Sequence, residues 1–294
     1  MGTAFSRRRF IGGGLAGLAL LGRRAAGKEA DPVKALSDRW PFYAFDNGLR
    51  TVRTLDGKCK LLKDLGYVGL EYHMNPKQLP RMLEALDKYG LQLNGVYTVP
   101  FLEQPVPKGW AECIKLMKGR ATRIEMGIRS KQFKRSDPRG DPQGMELMKA
   151  VSDLCADTGP VVSVYPHTGF WTEKVSDGVR LAKQIGRKNV GTNFNLVHWH
   201  WVKQPQPLAA TLKDALPHLF SVTINNGQKR GRKISSLEAG DYGLLEFLGV
   251  VKKVGYVGQV GLQCYSVPGP SEEHLKRSMD AWRKLLAQIA EAKP

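Results

Sequence analysis

The sequence predicts one α/β domain, a (β/α)8 TIM barrel. Three observations carry that expectation. After Asp31, short apolar runs alternate with amphipathic stretches, eight of each. One helix candidate separates each strand candidate from the next, which calls for parallel strands and right-handed crossovers. Gly-Tyr-Val-Gly occurs at 66–69 and again at 255–258, each time between a helix and a strand, as repeated βα units would produce. The length of 294 residues suits one such barrel of about 250 residues plus extensions.

The strand candidates are 41–46, 68–73, 91–98, 122–128, 161–167, 190–198, 220–225 and 257–265. The helix candidates are 54–65, 77–89, 108–118, 142–157, 175–186, 207–217, 243–254 and 271–291. The helices show apolar residues at 3.6 spacing, as in Leu79, Met82, Leu83 and Leu86. Pro80 falls in a first turn, where its missing N–H costs little. Gly66, Gly90 and Gly255 stand where helices stop, and Ser271 with Glu272 and Glu273 opens the last helix. No low-complexity linker divides the chain, so the barrel is expected to span residues 36–294.

Residues 1–30 read as an address. Ser-Arg-Arg-Arg-Phe-Ile at 6–11 resembles the twin-arginine export motif. A Gly-rich apolar stretch at 11–22 suits a signal h-region and is too short to span a bilayer. Small residues at 25–30 offer a cleavage zone. The expectation is export by the twin-arginine translocase to the periplasm, with no stable membrane insertion after cleavage.

The composition is that of a globular protein, 42% hydrophobic and 24% charged. The formal net charge is +18. Six basic residues and one acidic residue fall in 1–30, which leaves +13 on the remainder. Such a charge can attract nucleic acid or anionic sugars. The basic residues are scattered, so a solvated Lys/Arg surface is the plainer reading and no nucleic-acid partner is expected. Cys59, Cys113, Cys155 and Cys264 match no zinc or redox spacing and read first as buried thiols, with a disulfide as the alternative in an oxidising compartment and no pair picked by the sequence.

Active sites of such barrels lie at the C-terminal ends of the strands. Of six histidines, His73, His167, His198 and His200 fall at or just beyond strand ends. Glu71 and Glu125 point to the same rim, as do Tyr165, Asn195, Asn225, Gln263 and Tyr265. Phe170, Trp171, Trp199 and Trp201 offer aromatic walls. Aromatic faces pack on sugar rings while amides and histidines hydrogen-bond hydroxyls, so the mix reads as a carbohydrate site. Lys229-Arg230-Gly231-Arg232-Lys233 follows strand seven on the same face. It reads first as a solvated charge run, and second as a holder of a substrate phosphate or carboxylate.

Five segments carry a family likeness: Gly-Leu-Glu-Tyr-His (69–73), Tyr-Pro-His-Thr-Gly (165–169), Asn-Phe-Asn-Leu-Val-His (193–198), Thr-Ile-Asn-Asn-Gly (223–227) and 255–265. Together, and in this order, they resemble the xylose-isomerase-like sugar phosphate isomerases and epimerases over about residues 40–290. The resemblance implies isomerisation or epimerisation of a sugar through an enediolate. It also implies a divalent cation held by Glu, Asp, His and Glu from strands five to eight. This chain departs from that ligand set: the four positions hold Tyr165, Asn195, Thr223 and Gln263. Neutral amides are poor ligands for a hard dication and cannot act as bases.

Three readings stay open. In the first, a mono- or disaccharide, keto-sugars included, is isomerised with His167 or His198 as acid–base group and Glu71 or Glu125 assisting. In the second, a softer metal sits among His73, His167, His198 and His200 with a Glu. In the third, the barrel binds carbohydrate without turnover. In each, Tyr165, Trp171, Asn195, Trp199, Asn225, Gln263 and Tyr265 are the expected sugar contacts. The superfamily also includes apurinic-site DNA endonucleases. Their dense three-zinc carboxylate and histidine cluster is missing here, which argues against that activity.

Overall fold

The computed structural model describes residues 31–292, and the expected export leader lies outside the described residues. Eight parallel strands close into a barrel: β1 (Phe42–Phe45), β2 (Gly69–His73), β3 (Gln92–Thr98), β4 (Arg123–Met126), β5 (Val161–Val164), β6 (Val190–Asn195), β7 (Leu219–Ile224) and, after a small hairpin, β10 (Gln259–Leu262), which pairs with β1. The hairpin joins β8 (Asn226–Gly227) antiparallel to β9 (Ile234–Ser235). Crossovers are made by α2 (Leu55–Leu65), α3 (Leu79–Lys88), α4 (Gly109–Leu116), α5 (Asp141–Cys155), α6 (Val175–Ile185), α8 (Leu208–Ala215) and α9 (Leu244–Lys253). α10 (Ser271–Glu291) closes the ring, and α1 (Pro32–Arg39) precedes β1.

The eight expected strands and eight expected helices are all present, with ends moved by a few residues. Gly66, Gly90 and Gly255 follow their helices at φ of 91°, 63° and 84°, the left-handed conformation that stops a helix. Thr54 caps α2 by accepting the Gly57 N–H at 3.0 Å. Two helices escaped the periodicity. α1 starts at Pro32, ahead of the expected domain start at 36, and buries Leu36. α7 (Leu196–Trp201) occupies the end of the expected sixth strand. All four cysteines are buried and free. No helix of the described residues is long and apolar enough to cross a membrane.

Strand alternation builds two cores. Phe42, Ala44, Leu70, Val96, Ile124, Val162, Val222 and Leu262 face outward and pack with helix residues such as Leu62, Met82, Val151, Phe247 and Trp282. Trp282 stacks on Phe42 at 4.4 Å. The intervening residues face the barrel axis. There, Tyr43, Phe45 and Tyr165 form a small aromatic cluster with Tyr97 against it. The rest of the interior is polar: Arg123 and Glu125 pair at 3.0 Å, and Ser163 donates to the Asn193 side chain.

The register of β2 on β3 passes from Leu70↔Leu93 to Glu71↔Gly95, so Asn94 is a one-residue bulge. It brings a glycine opposite Glu71. A Cβ at Gly95 would lie 3.2 Å from the Glu125 carboxylate, so the missing side chain is where the second carboxylate fits. The bulge therefore decides that Glu71 and Glu125 meet inside the barrel.

Candidate functional site

A cleft of about 970 Å³ opens at the C-terminal ends of the strands. Phe45, Glu71, Tyr97 and Tyr165 form its floor. His167, Thr168, His198 and Trp201 form one wall, Gln263 and Tyr265 another, and His73 stands on the rim. Arg232, Lys233 and Ile234 reach it from the β8–β9 hairpin.

His167 and His198 come together with ring centroids 4.1 Å apart. His167 sits in a tight turn after β5, where the Phe170 N–H donates to its carbonyl and Phe170 stacks on its ring at 3.9 Å. His167 Nδ1 lies 2.8 Å from the Thr168 carbonyl oxygen. A carbonyl only accepts, so Nδ1 carries the proton and the neutral ring leaves its Nε2 lone pair free. Burial, reinforced by the charge of Arg129, lowers the His167 pKa against the opposing Thr168 hydrogen bond. Burial and then His167 hold His198 well below the usual imidazole range. Both rings are neutral near pH 7.

Why His198 is there is a local matter. The Asn195 carboxamide oxygen accepts the His198 N–H at 3.1 Å, capping a helix at its first turn. The expected strand therefore stops at Asn195. On α7, residues three apart share a side, so His198 and Trp201 line the cleft while Trp199 and His200 turn away. Trp199 packs on Phe194 at 5.5 Å and His200 on Tyr242 at 4.3 Å. This helix corrects the expectation that the sixth strand runs to residue 198 and that His200 joins the rim.

Glu71 lines the floor although it is only 2% exposed. Burial first, then the charge of Glu125 and a hydrogen bond with it, raise the Glu71 pKa well above the carboxylate range, with Arg123 opposing. Burial and the neighbouring carboxylate thus favour the protonated form of Glu71, in the same cleft as the His167 and His198 imidazoles. Glu125 is fully buried beneath it, paired to Arg123. Arg123 also donates to the Gln259 side chain and lies over the Tyr43 ring at 5.1 Å. Glu125, expected in acid–base work, does not line the cleft.

Other expected contacts divide. Tyr165, Gln263 and Tyr265 line the cleft. Asn195 is buried just behind it, donating to the Tyr165 hydroxyl and to Thr223 Oγ1 at 2.7 Å. Asn225 is fully buried and donates to the Asn226 carbonyl at 2.7 Å. Trp171 is a core residue: its Nε1–H donates to the Asp137 carbonyl at 2.9 Å and its ring lies on Gly140 and Gly144. The expectation that Trp171, Trp199 and Asn225 contact sugar is corrected, because none reaches the cleft. Phe45, Tyr97 and Thr168 were missed. The strand-end rule could have found Tyr97, and nothing in the sequence singled out Thr168.

Residues 59–285 match the family described as xylose isomerase-like TIM barrel. The chain belongs to that family. No curated protein matches it in sequence. Among solved structures, it is similar to D-allulose 3-epimerase from Methylomonas sp., at 12% identity and TM-score 0.68, covering 84% of this chain and 98% of that one. Similar too are 3-keto-D-glucoside 4-epimerase from E. coli (14%, TM-score 0.64, 83% and 99%) and an AP endonuclease, family 2, from Brucella melitensis (17%, TM-score 0.59, 80% and 96%). At these identities the likeness establishes the barrel.

The donor set does not fit the divalent cation that the family likeness implies. Of the four expected positions, Tyr165, Asn195 and Thr223 are joined by Asn195's two donated hydrogen bonds, and Gln263 Oε1 accepts the Tyr265 N–H at 3.2 Å. Burial keeps the Tyr165 phenol protonated, with Glu71 adding to the effect. The alternative histidine set does not converge either. His73 Nε2 is bonded to Gln78 Oε1 at 2.9 Å and His200 faces Tyr242. Among the described residues no group of three or more His, Cys, Asp or Glu is placed to hold a metal ion.

Proposed function

We propose that this chain is a sugar isomerase- or epimerase-like enzyme that moves a proton on a mono- or disaccharide, keto-sugars included. What carries this is the placing, in one cleft, of His167, whose Nδ1 faces a carbonyl and leaves Nε2 free, and of Glu71, whose carboxyl is pushed by burial toward the protonated form. His167 Nε2 takes the proton from the carbon beside the sugar carbonyl. Glu71 gives its proton to the carbonyl oxygen, leaving an enediol, a carboxylate and an imidazolium. A protonated carboxyl here supplies the polarisation that a bound cation supplies elsewhere, as buried acids do in other enolising sites. In isomerisation the imidazolium protonates the former carbonyl carbon, while the adjacent enediol hydroxyl returns a proton to the Glu71 carboxylate. In epimerisation water protonates the original carbon on its opposite face, the enediol hydroxyl re-protonates Glu71 and the imidazolium releases its proton to solvent. Tyr97, Tyr165, Trp201 and Tyr265 offer aromatic faces for the ring.

Support comes from the fold shared with two sugar epimerases, and a second structure of the Methylomonas enzyme holds D-allulose. The leader motif at 6–11 supports a periplasmic site of action, reached through the twin-arginine translocase.

A second reading, a carbohydrate-binding barrel without turnover, is favoured by the hydrogen-bonded neutral groups at the four ligand positions. Incubation with aldoses and ketoses in D2O, followed by NMR, separates the two. Deuterium appearing beside the carbonyl, and lost in His167→Ala, supports the enzyme. Sugar binding with no exchange supports the binding barrel. Neither exchange nor binding overturns both.

A further inference from the structure

The cleft carries two cations without counter-charge. Arg232 and Lys233 line it from the β8–β9 hairpin, and neither forms an ion pair among the described residues. The acids that share the cleft are already neutralised. Asp46 is bound to Lys58 at 2.6 Å, and burial pushes Glu71 toward its neutral form. Beyond the hairpin, Asp241 accepts the Lys229 backbone N–H on its Oδ1 at 2.8 Å.

The two cations are also placed, rather than trailing from an open loop. The Gln228 N–H donates to the Lys233 carbonyl at 3.0 Å, and Gly227 pairs with Ile234 across the hairpin. Arg232 takes a left-handed φ of 51°, uncommon for a residue with a side chain. Its guanidinium lies 6.0 Å over the ring of Trp201, another cleft residue. Stacking of this kind orients the guanidinium while leaving its N–H donors free for a ligand.

We infer that Arg232 and Lys233 form an anion subsite of the cleft, so that its sugar carries a carboxylate or a phosphate. The inference rests on the reading that the cleft takes carbohydrate, and it names the class of sugar. A planar guanidinium beside an ammonium matches either anion: bidentate from the first, a point charge from the second. A neutral sugar would leave both cations facing solvent with only a polyol to meet them. An anionic one supplies the counter-charge that Arg232 and Lys233 lack among the described residues.

The test is calorimetric titration of the intact chain with matched probes: D-glucose, D-galactose and D-mannose, each with its uronate and its 6-phosphate. The expected result is that at least one anionic probe binds about tenfold or more tightly than its neutral parent, as added charge-assisted hydrogen bonds would give. That gap should shrink with salt and collapse in the Arg232→Gln/Lys233→Gln double variant, so that the anionic probe binds no better than its neutral parent does to the same variant. A gap for uronates alone assigns a carboxylate, and one for 6-phosphates alone assigns a phosphate. Equal affinity within every matched set, or a gap that survives the double variant, overturns the subsite. Neutral-sugar binding in that case leaves the carbohydrate reading standing. Failure of every probe to bind overturns both.

Discussion

The imidazole rings of His167 and His198 lie 4.1 Å apart, their planes inclined at 43°, and Thr168 touches both. Its carbonyl fixes the His167 tautomer, and its Oγ1 lies 3.2 Å from His198 Nδ1. Two imidazoles this close resist double protonation, and both are shifted down by burial. The pair therefore keeps a free base available below the ordinary histidine range.

Turnover should persist into mildly acidic solution, with the acid limb of kcat/KM falling below about pH 6.5. His167→Ala should lower kcat by at least about tenfold, as losing a proton-transfer group does, with an unchanged circular dichroism spectrum. A limb at or above that pH in the parent enzyme would remove the neutral-pair argument.

Glu71 should reduce stability as pH rises. The folded state keeps its proton, whereas the unfolded chain releases it above about pH 4.5. Stability is therefore lost from that pH up through the raised folded value. Glu71→Gln, which mimics the protonated acid, should melt higher than the parent at pH 8 with a smaller difference at pH 5. It should also lose the acid step, giving a more stable and less active protein. Thermal melts at the two pH values, beside turnover, check both halves.

Removing Glu125 should be costly for another reason. Its partner Arg123 is buried, so Glu125→Gln leaves a guanidinium without its counter-ion. A loss of about 3–5 kcal/mol is expected from chemical denaturation. The double replacement with Arg123→Met should lose less than the sum of the single changes, since the two residues form one unit.

Trp171 and Trp201 should separate packing from binding. A Cβ at Gly144 would lie 2.6 Å from the Trp171 ring, so Gly144→Ala should cost about 1–3 kcal/mol of stability and leave sugar affinity unchanged. Trp201→Ala should weaken sugar binding by about threefold to tenfold, the worth of one aromatic contact. Denaturation curves and titrations on both variants test this division.

Metal retention follows from the donor set. The chain purified without chelating resin should hold far less than one equivalent of Mn, Zn, Fe or Co by mass spectrometry. Dialysis against a chelator should leave turnover and sugar affinity unchanged. A tightly held equivalent would mean that side chains rearrange to create a site the fold does not display.

The barrel was legible in the sequence because its signals are local. A period of two or 3.6 records which side of each element is buried, and glycines at helix ends record a backbone conformation. The strand-end rule likewise placed Glu71, Tyr165, His167 and Gln263 on the right rim. It failed for Glu125 and Asn225, which are buried away from the cleft, and for Trp199 and His200, since a strand and one helical turn are hard to tell apart over six mostly apolar residues. The deciding signal was a cap, Asn195, whose carboxamide closes on the His198 N–H.

By itself the sequence determined the number of βα units, their order, the C-terminal rim and the absence of the usual ligands at Tyr165, Asn195, Thr223 and Gln263. Only the tertiary structure decided that Glu71 and Glu125 share a buried interior, that Trp171 serves the core, and that Arg232 and Lys233 face the cleft. Each of those facts depends on residues far apart in the chain. A carboxyl keeps its proton because of what surrounds it, and the Asn94 bulge that sets those surroundings exists only once β2 lies beside β3.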